Sequence, residues 1–89
     1  MMIKLVSAKV QGAKTLRLTF SDGSEGDFDF APILARNTVL TRALEQPEYF
    51  DRYFLELGAL CWPNGLEFSA GSLHENLKAA GALRDHATA

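Results

Sequence analysis

The sequence predicts a small α+β domain, built on a curved antiparallel sheet covered by short helices. Two observations carry this. Leu16, Leu18 and Phe20 alternate with Arg17 and Thr19, and Phe28 and Phe30 alternate with Asp27 and Asp29, on either side of Ser21-Asp22-Gly23. A period of two flanking a Gly-containing turn is the signature of a hairpin with one buried face. Further along, Pro32, Pro47 and Gly81 punctuate short runs whose apolar residues recur at helical spacing.

Residues 2–10 are rich in Ile and Val and form the first expected strand. Val6, Ala8 and Val10 favour one side of it, Ile3 and Leu5 the other. Burial on both faces, or a bulge near Val6, accounts for that pattern. Gln11-Gly12-Ala13 turns the chain into a second strand, 14–20. In the three-residue loop that follows, Gly23 takes the left-handed position and Asp22 accepts local backbone bonds. The third strand spans 24–30. If the loop is 21–23, Arg17 faces Asp27, Thr19 faces Glu25, and Gly26 faces Leu18, leaving room for that side chain or marking a bulge.

Helical segments are expected over 32–35, opened by Pro32; over 39–45, capped by Asn37 or Thr38 with Leu40, Ala43 and Leu44 inward; and over 47–52, anchored by Phe50 and Tyr53. Residues 54–62 read as strand material around Gly58. Pro63-Asn64-Gly65 is a strong turn signal, and 66–68 form a short last strand. The final helix, 72–80, opens on a capping-box pattern, Ser72 to Glu75, and buries Leu73, Leu77 and Ala80 before Gly81. Residues 1–81 therefore read as a single domain, and 82–89 as a tail expected to fray.

Size and composition fit this reading. An 89-residue chain buries roughly 64% of its unfolded surface, enough for one modest core. The formal net charge of −2 argues against a nucleic-acid partner. Lys4, Lys9, Lys14 and Arg17 nonetheless precede the first acid, and Asp22, Glu25, Asp27 and Asp29 follow, an arrangement that suits cross-strand pairing. One cysteine excludes an internal disulfide and fits a reducing cytoplasm, where we expect the protein to reside. No apolar run is long enough to span a bilayer.

Few residues invite chemistry. His74 opens the last helix and is expected to be exposed, and His86 lies in the tail. With Cys61 they show no metal-ligand spacing. Cys61 sits between Leu60 and Trp62 with no base nearby, as a small buried hydrophobe would. No phosphate-binding loop or nucleophile elbow occurs. We therefore expect no catalytic, cofactor-binding or metal-binding residue. The cluster Trp62-Pro63-Asn64-Gly65 reads either as a core corner or as a ridge presented to a partner; Trp62, Asn64, Tyr49 and Tyr53 are the candidate contact residues.

In order, Leu16-x-Leu18-x-Phe20-x-Asp22-Gly23, Phe28-Asp29-Phe30, Phe50, Trp62-Pro63-Asn64-Gly65-Leu66-Glu67-Phe68 and Leu73 resemble the bacterial domain-of-unknown-function family numbered 2442. His74 departs from it, standing where an aromatic residue is common. The resemblance implies a small α+β domain with a curved antiparallel sheet and no established activity. Some relatives carry a helix-turn-helix domain afterwards, for which this chain is expected to be too short. Relatives encoded beside another small protein imply a toxin–antitoxin-like pair. The expected function is a non-enzymatic protein–protein interaction module, as a homodimer or with a small partner protein. An accessory nucleic-acid-associated role and a small-ligand binder or enzyme near Trp62 and His74 are the alternatives.

Overall fold

A computed structural model describes residues 2–85. The α+β class holds, but the expected single sheet is two. Strands β1 (Leu5–Gly12), β2 (Thr15–Phe20), β3 (Ser24–Asp29) and β7 (Arg84–Asp85) form one antiparallel sheet in that order. Strands β4 (Phe54–Glu56), β5 (Ala59–Cys61) and β6 (Glu67–Phe68) form the other. The split occurs because residues 54–62 are not one strand: Leu57 and Gly58 reverse the chain in a two-residue turn, closing Glu56 onto Ala59.

The β2–β3 hairpin has the register expected from its loop. Arg17 faces Asp27, Thr19 faces Glu25 and Leu18 faces Gly26. Gly23 sits at φ 88°, and an Asp22 carboxylate oxygen accepts the Ser24 N–H at 2.9 Å. Leu16, Leu18, Phe20, Phe28 and Phe30 are all buried. In β1 the register shifts between Leu5 and Ser7, so Val6 is bulged outward and exposed while Leu5 and Ala8 face the core. That bulge resolves the double-faced pattern of the first strand.

Four short helices connect and cover the sheets. Helix α1 (Ala31–Leu34) has Pro32 in its first turn. Helix α2 (Val39–Arg42) is capped by Thr38 through a reciprocal bond pair with Thr41, and a 3-10 turn (Ala43–Glu45) completes the segment. Leu44 is buried as expected and Ala43 half-buried, but the expected inward Leu40 is wrong: it is 41% exposed, and Thr41 is buried in its place. The change to 3-10 geometry rotates the inward positions away from a continuous helical stripe. Helix α3 (Pro47–Phe50) buries Phe50.

Helix α4 (Ala70–Ala79) begins earlier than expected, because the Ser69 hydroxyl rather than Ser72 caps it, accepting the Ser72 N–H at 3.2 Å. Its buried stripe is Ala70, Leu73 and Leu77, and Ala80 is exposed. Gly81, at φ 71°, ends it. Within the expected tail, Arg84 and Asp85 pair with Glu25 and Ser24, and residues 86–89 lie outside the described residues.

The core joins the two sheets through aromatic rings. Phe30 lies 5.8 Å from Trp62, 5.8 Å from Phe50 and 5.5 Å from Phe68, centroid to centroid. Gly26 has a stricter role than leaving space for Leu18. A Cβ there would stand 2.7 Å from the Ala82 carbonyl oxygen and 3.1 Å from Leu77. The Gly26→Ala variant should therefore lose about 1–3 kcal/mol of stability by overpacking, read from urea unfolding; an unchanged midpoint would show that residues 82–85 do not pack there.

Candidate functional site

Of the four candidate contact residues, Trp62 is not on a surface. It is 1% exposed, and its indole N–H donates to the Phe50 carbonyl at 3.0 Å. Its large apolar ring and single donor are both satisfied inside, so the corner reading holds and the ridge reading fails for this residue. Asn64 is exposed but holds the turn: its amide donates to the Leu40 carbonyl and its oxygen accepts the Leu66 N–H. Tyr49 and Tyr53 are half-buried against the core. The Tyr53 hydroxyl donates to the Ala8 carbonyl at 3.1 Å. Trp62, Tyr49 and Tyr53 thus gather around the core, and Asn64 lies at its surface.

Exposed Val39 and Leu40 lie on α2, beside Asn64; a larger group of exposed apolar residues lies elsewhere. Leu5 N–H donates to the Gly58 carbonyl at 2.8 Å, and with the Tyr53–Ala8 bond this runs β4 and its turn along β1. From the elements meeting at this seam come Val6, Phe54, Leu55 and Leu57, all exposed, and exposed Met2 precedes β1. Leu57 is the extreme case at 97% exposure and φ 52°. Both residues of its turn have positive φ, with Gly58 at 80°, which is the two-residue geometry that favours Asn-Gly. Gly58 is required there, since a Cβ would meet Lys4 at 2.9 Å. Leu57 is not required. The signal was present in the sequence: a residue–Gly pair between two apolar runs marks such a turn, and a leucine in its first position is out of place.

A second cluster joins the β2–β3 loop to α4. The nearer Asp22 oxygen accepts both the N–H and the hydroxyl of Ser24, and the other lies 3.0 Å from His74 Nε2. His74 also meets the Phe20 ring edge-on at 5.1 Å. It is thus half-buried, against expectation, because the loop folds back on the first turn of α4. The carboxylate stands between hydroxyl and imidazole. Activating a serine requires the imidazole on the hydroxyl itself; this order instead fastens a hairpin to a helix. His86 lies outside the described residues.

A family model described as a protein of unknown function, DUF2442, matches residues 5–79. The chain belongs to DUF2442. The match runs from β1 to the end of α4, so strands β1 to β6, the aromatic junction and the Leu57 turn lie within it and β7 follows it. No curated protein and no solved structure matches the chain.

The electrostatics of this DUF2442 domain are local. Arg17 grips Asp27 with two hydrogen bonds, Nε to Oδ1 at 2.8 Å and Nη2 to Oδ2 at 3.3 Å, which raises the guanidinium pKa and lowers that of the carboxyl. Lys14 reaches the Glu45 carbonyl at 3.3 Å and lies over the Phe50 ring. Burial, then Glu67 and Glu56, push the Cys61 thiol up, away from thiolate chemistry. Among the described residues no three His, Cys, Asp or Glu gather into a metal-binding group, and no helix is long and apolar enough to cross a membrane.

Asp22 is held below its ordinary value of 3.8, chiefly by the Ser24 hydroxyl, then by the Ser24 N–H. A carboxyl depressed in the folded state stabilises it above the unfolded pKa, and that contribution is lost as pH falls through the folded one. Unfolding free energy should therefore decline below about pH 5, and Asp22→Asn should flatten part of that decline in an acid titration of urea midpoints. An unaltered slope would place the acid sensitivity elsewhere.

Proposed function

We propose that this DUF2442 domain is a non-enzymatic protein-interaction module whose contact surface is the seam between β1 and the β4–β5 turn. One observation carries the reading: Leu57 is 97% exposed at φ 52°. A bulky residue in the left-handed region costs about 1–3 kcal/mol, and Leu57 recovers none of it in the core. Such strain on an apolar knob is explained by a partner that buries it.

The occupant to which the surface is suited is a second copy of the chain. Exposed Lys4, whose stem lies against Gly58, and exposed Glu56 bracket Leu57 with opposite charges. A two-fold contact sets each against the other's counterpart, making the surface self-complementary. A small partner protein, as in the toxin–antitoxin-like pairing that the family resemblance implies, is the alternative occupant. The commitment of Arg17 to Asp27 and of Lys14 to Glu45 and Phe50 supports a protein partner over nucleic acid. The lone, buried Cys61 supports a reducing, cytoplasmic setting.

The test is light scattering across a concentration series. The unaltered chain should dimerise. Leu57→Asn should remain monomeric and gain about 1 kcal/mol of stability, since Asn tolerates this turn position. A chain monomeric throughout, or a dimer indifferent to Leu57→Asn, contradicts the proposal.

A further inference from the structure

A cleft of about 480 Å³ lies between α1 and α4, at the end of β3. Its floor is hydrocarbon: buried Phe28, Leu73 and Leu77, with half-buried Ile33 and Phe68 beside them. None of these side chains can make a hydrogen bond. The volume falls within the range of about 300–1,000 Å³ that small-molecule sites occupy.

Three charged residues line the cleft: Asp27, Asp29 and Arg36. The two acids alternate with buried Phe28 along β3, so their side chains stand on the opposite face of the sheet from the floor. Both are already engaged. Arg17 holds the two Asp27 carboxylate oxygens, and Asp29 Oδ1 accepts the Ala31 N–H at 2.9 Å. Arg36, just after α1, differs. It is exposed, and its guanidinium has no partner among the described residues. The other arginines all have one: Arg17 binds Asp27, Arg42 donates to Asn37, Arg52 lies over the Tyr49 ring, and Arg84 stands 4.0 Å from Glu25. The cleft therefore joins a floor without polar groups to one uncommitted cation at its rim.

We infer that the cleft between α1 and α4 binds a small free carboxylic acid with an unsubstituted hydrocarbon body, of the medium-chain fatty-acid type, its carboxylate paired with Arg36. A guanidinium presents a planar fork of N–H donors that matches a carboxylate with two parallel bonds. The hydrocarbon body lies on Phe28, Ile33 and Phe68. A hydroxyl or amide on that body would lose its water without gaining a partner, which selects against polar bodies. The nearby Asp27 and Asp29 repel a second negative charge, which restricts the ligand to a monocarboxylate. The site uses none of the residues at the Leu57 seam and does not depend on that reading.

The experiment titrates the isotope-labelled full chain with sodium decanoate, below its micelle concentration and at neutral pH, and follows backbone amides by NMR. Saturable shifts are expected at Ile33, Arg36, Asn76 and Leu77. Decanol, with the same body and no charge, should bind about tenfold more weakly, and Arg36→Gln should weaken decanoate by a similar factor. Ala80→Trp, which fills the cleft from an exposed position, should block binding. Neither variant alters the core, so both should keep the urea midpoint of the unaltered chain. Leu57→Asn should bind decanoate as the unaltered chain does, whether or not it dimerises. No saturable binding, equal binding of decanol, or binding indifferent to Arg36→Gln or to Ala80→Trp would each overturn the proposal. So would shifts centred on Phe54, Leu55 and Leu57, since decanoate would then be coating the exposed apolar seam.

Discussion

The contact on which the rest of this structure depends is that between Phe30 and Trp62. Each sheet alone is too small to bury its apolar face, and a three-stranded sheet with a two-residue last strand is smaller still. Phe30 directly follows β3 and Trp62 directly follows β5, so their edge-to-face packing closes one sheet on the other. Phe50 and Phe68 fill the sides, each within 6.0 Å of Trp62 between centroids. Each such ring pair contributes about 0.5–1.5 kcal/mol beyond its buried area. The Trp62–Phe50 hydrogen bond adds orientation: it pins the short helix α3, which has too few residues to hold itself, onto the same junction.

That junction also explains what was legible in the sequence. Alternation and turn chemistry are local, so the β2–β3 register, the φ of Gly23 and the turn at Gly65 followed directly from spacing. The bulge at Val6 was one of two readings of a conflicting pattern, and pairing with β2 decided it. Features set by contacts distant in the chain were not legible. Leu40 carries a helical apolar signal but turns outward once Thr41 is locked to Thr38. Ser72 fits a capping box, yet Ser69 offers the earlier cap and gains burial of Ala70. For Trp62 the sequence favoured a corner but left a ridge open, because a tryptophan beside Pro-Asn-Gly suits both. Only the position of the Phe50 carbonyl separates them.

Edge protection gives the surfaces their meaning. On β1, Gly58 takes the Leu5 N–H and Tyr53 occupies the Ala8 carbonyl, so this edge is partly closed from within, with exposed Lys4 and Lys9 further discouraging chance pairing. On β3, two residues of β7 pair with Ser24 and Glu25, and the Ala82 carbonyl packs against Gly26 just before them. The Leu57 turn is the converse case, a well-paired hairpin whose tip carries an apolar side chain that the fold does not use. The Asp22–His74 contact, by contrast, belongs to the architecture, tying the hairpin loop to α4.

If Phe30 and Trp62 weld the two sheets into one cooperative unit, no part of the domain can melt without the rest. The direct measurement is equilibrium urea unfolding followed in parallel by Trp62 fluorescence and far-ultraviolet circular dichroism. Coincident transitions are predicted for the unaltered chain, and Phe30→Ala should shift both together by about 3–5 kcal/mol. Emission from Trp62 that reddens in a separate, earlier transition while the β signal persists would contradict the account.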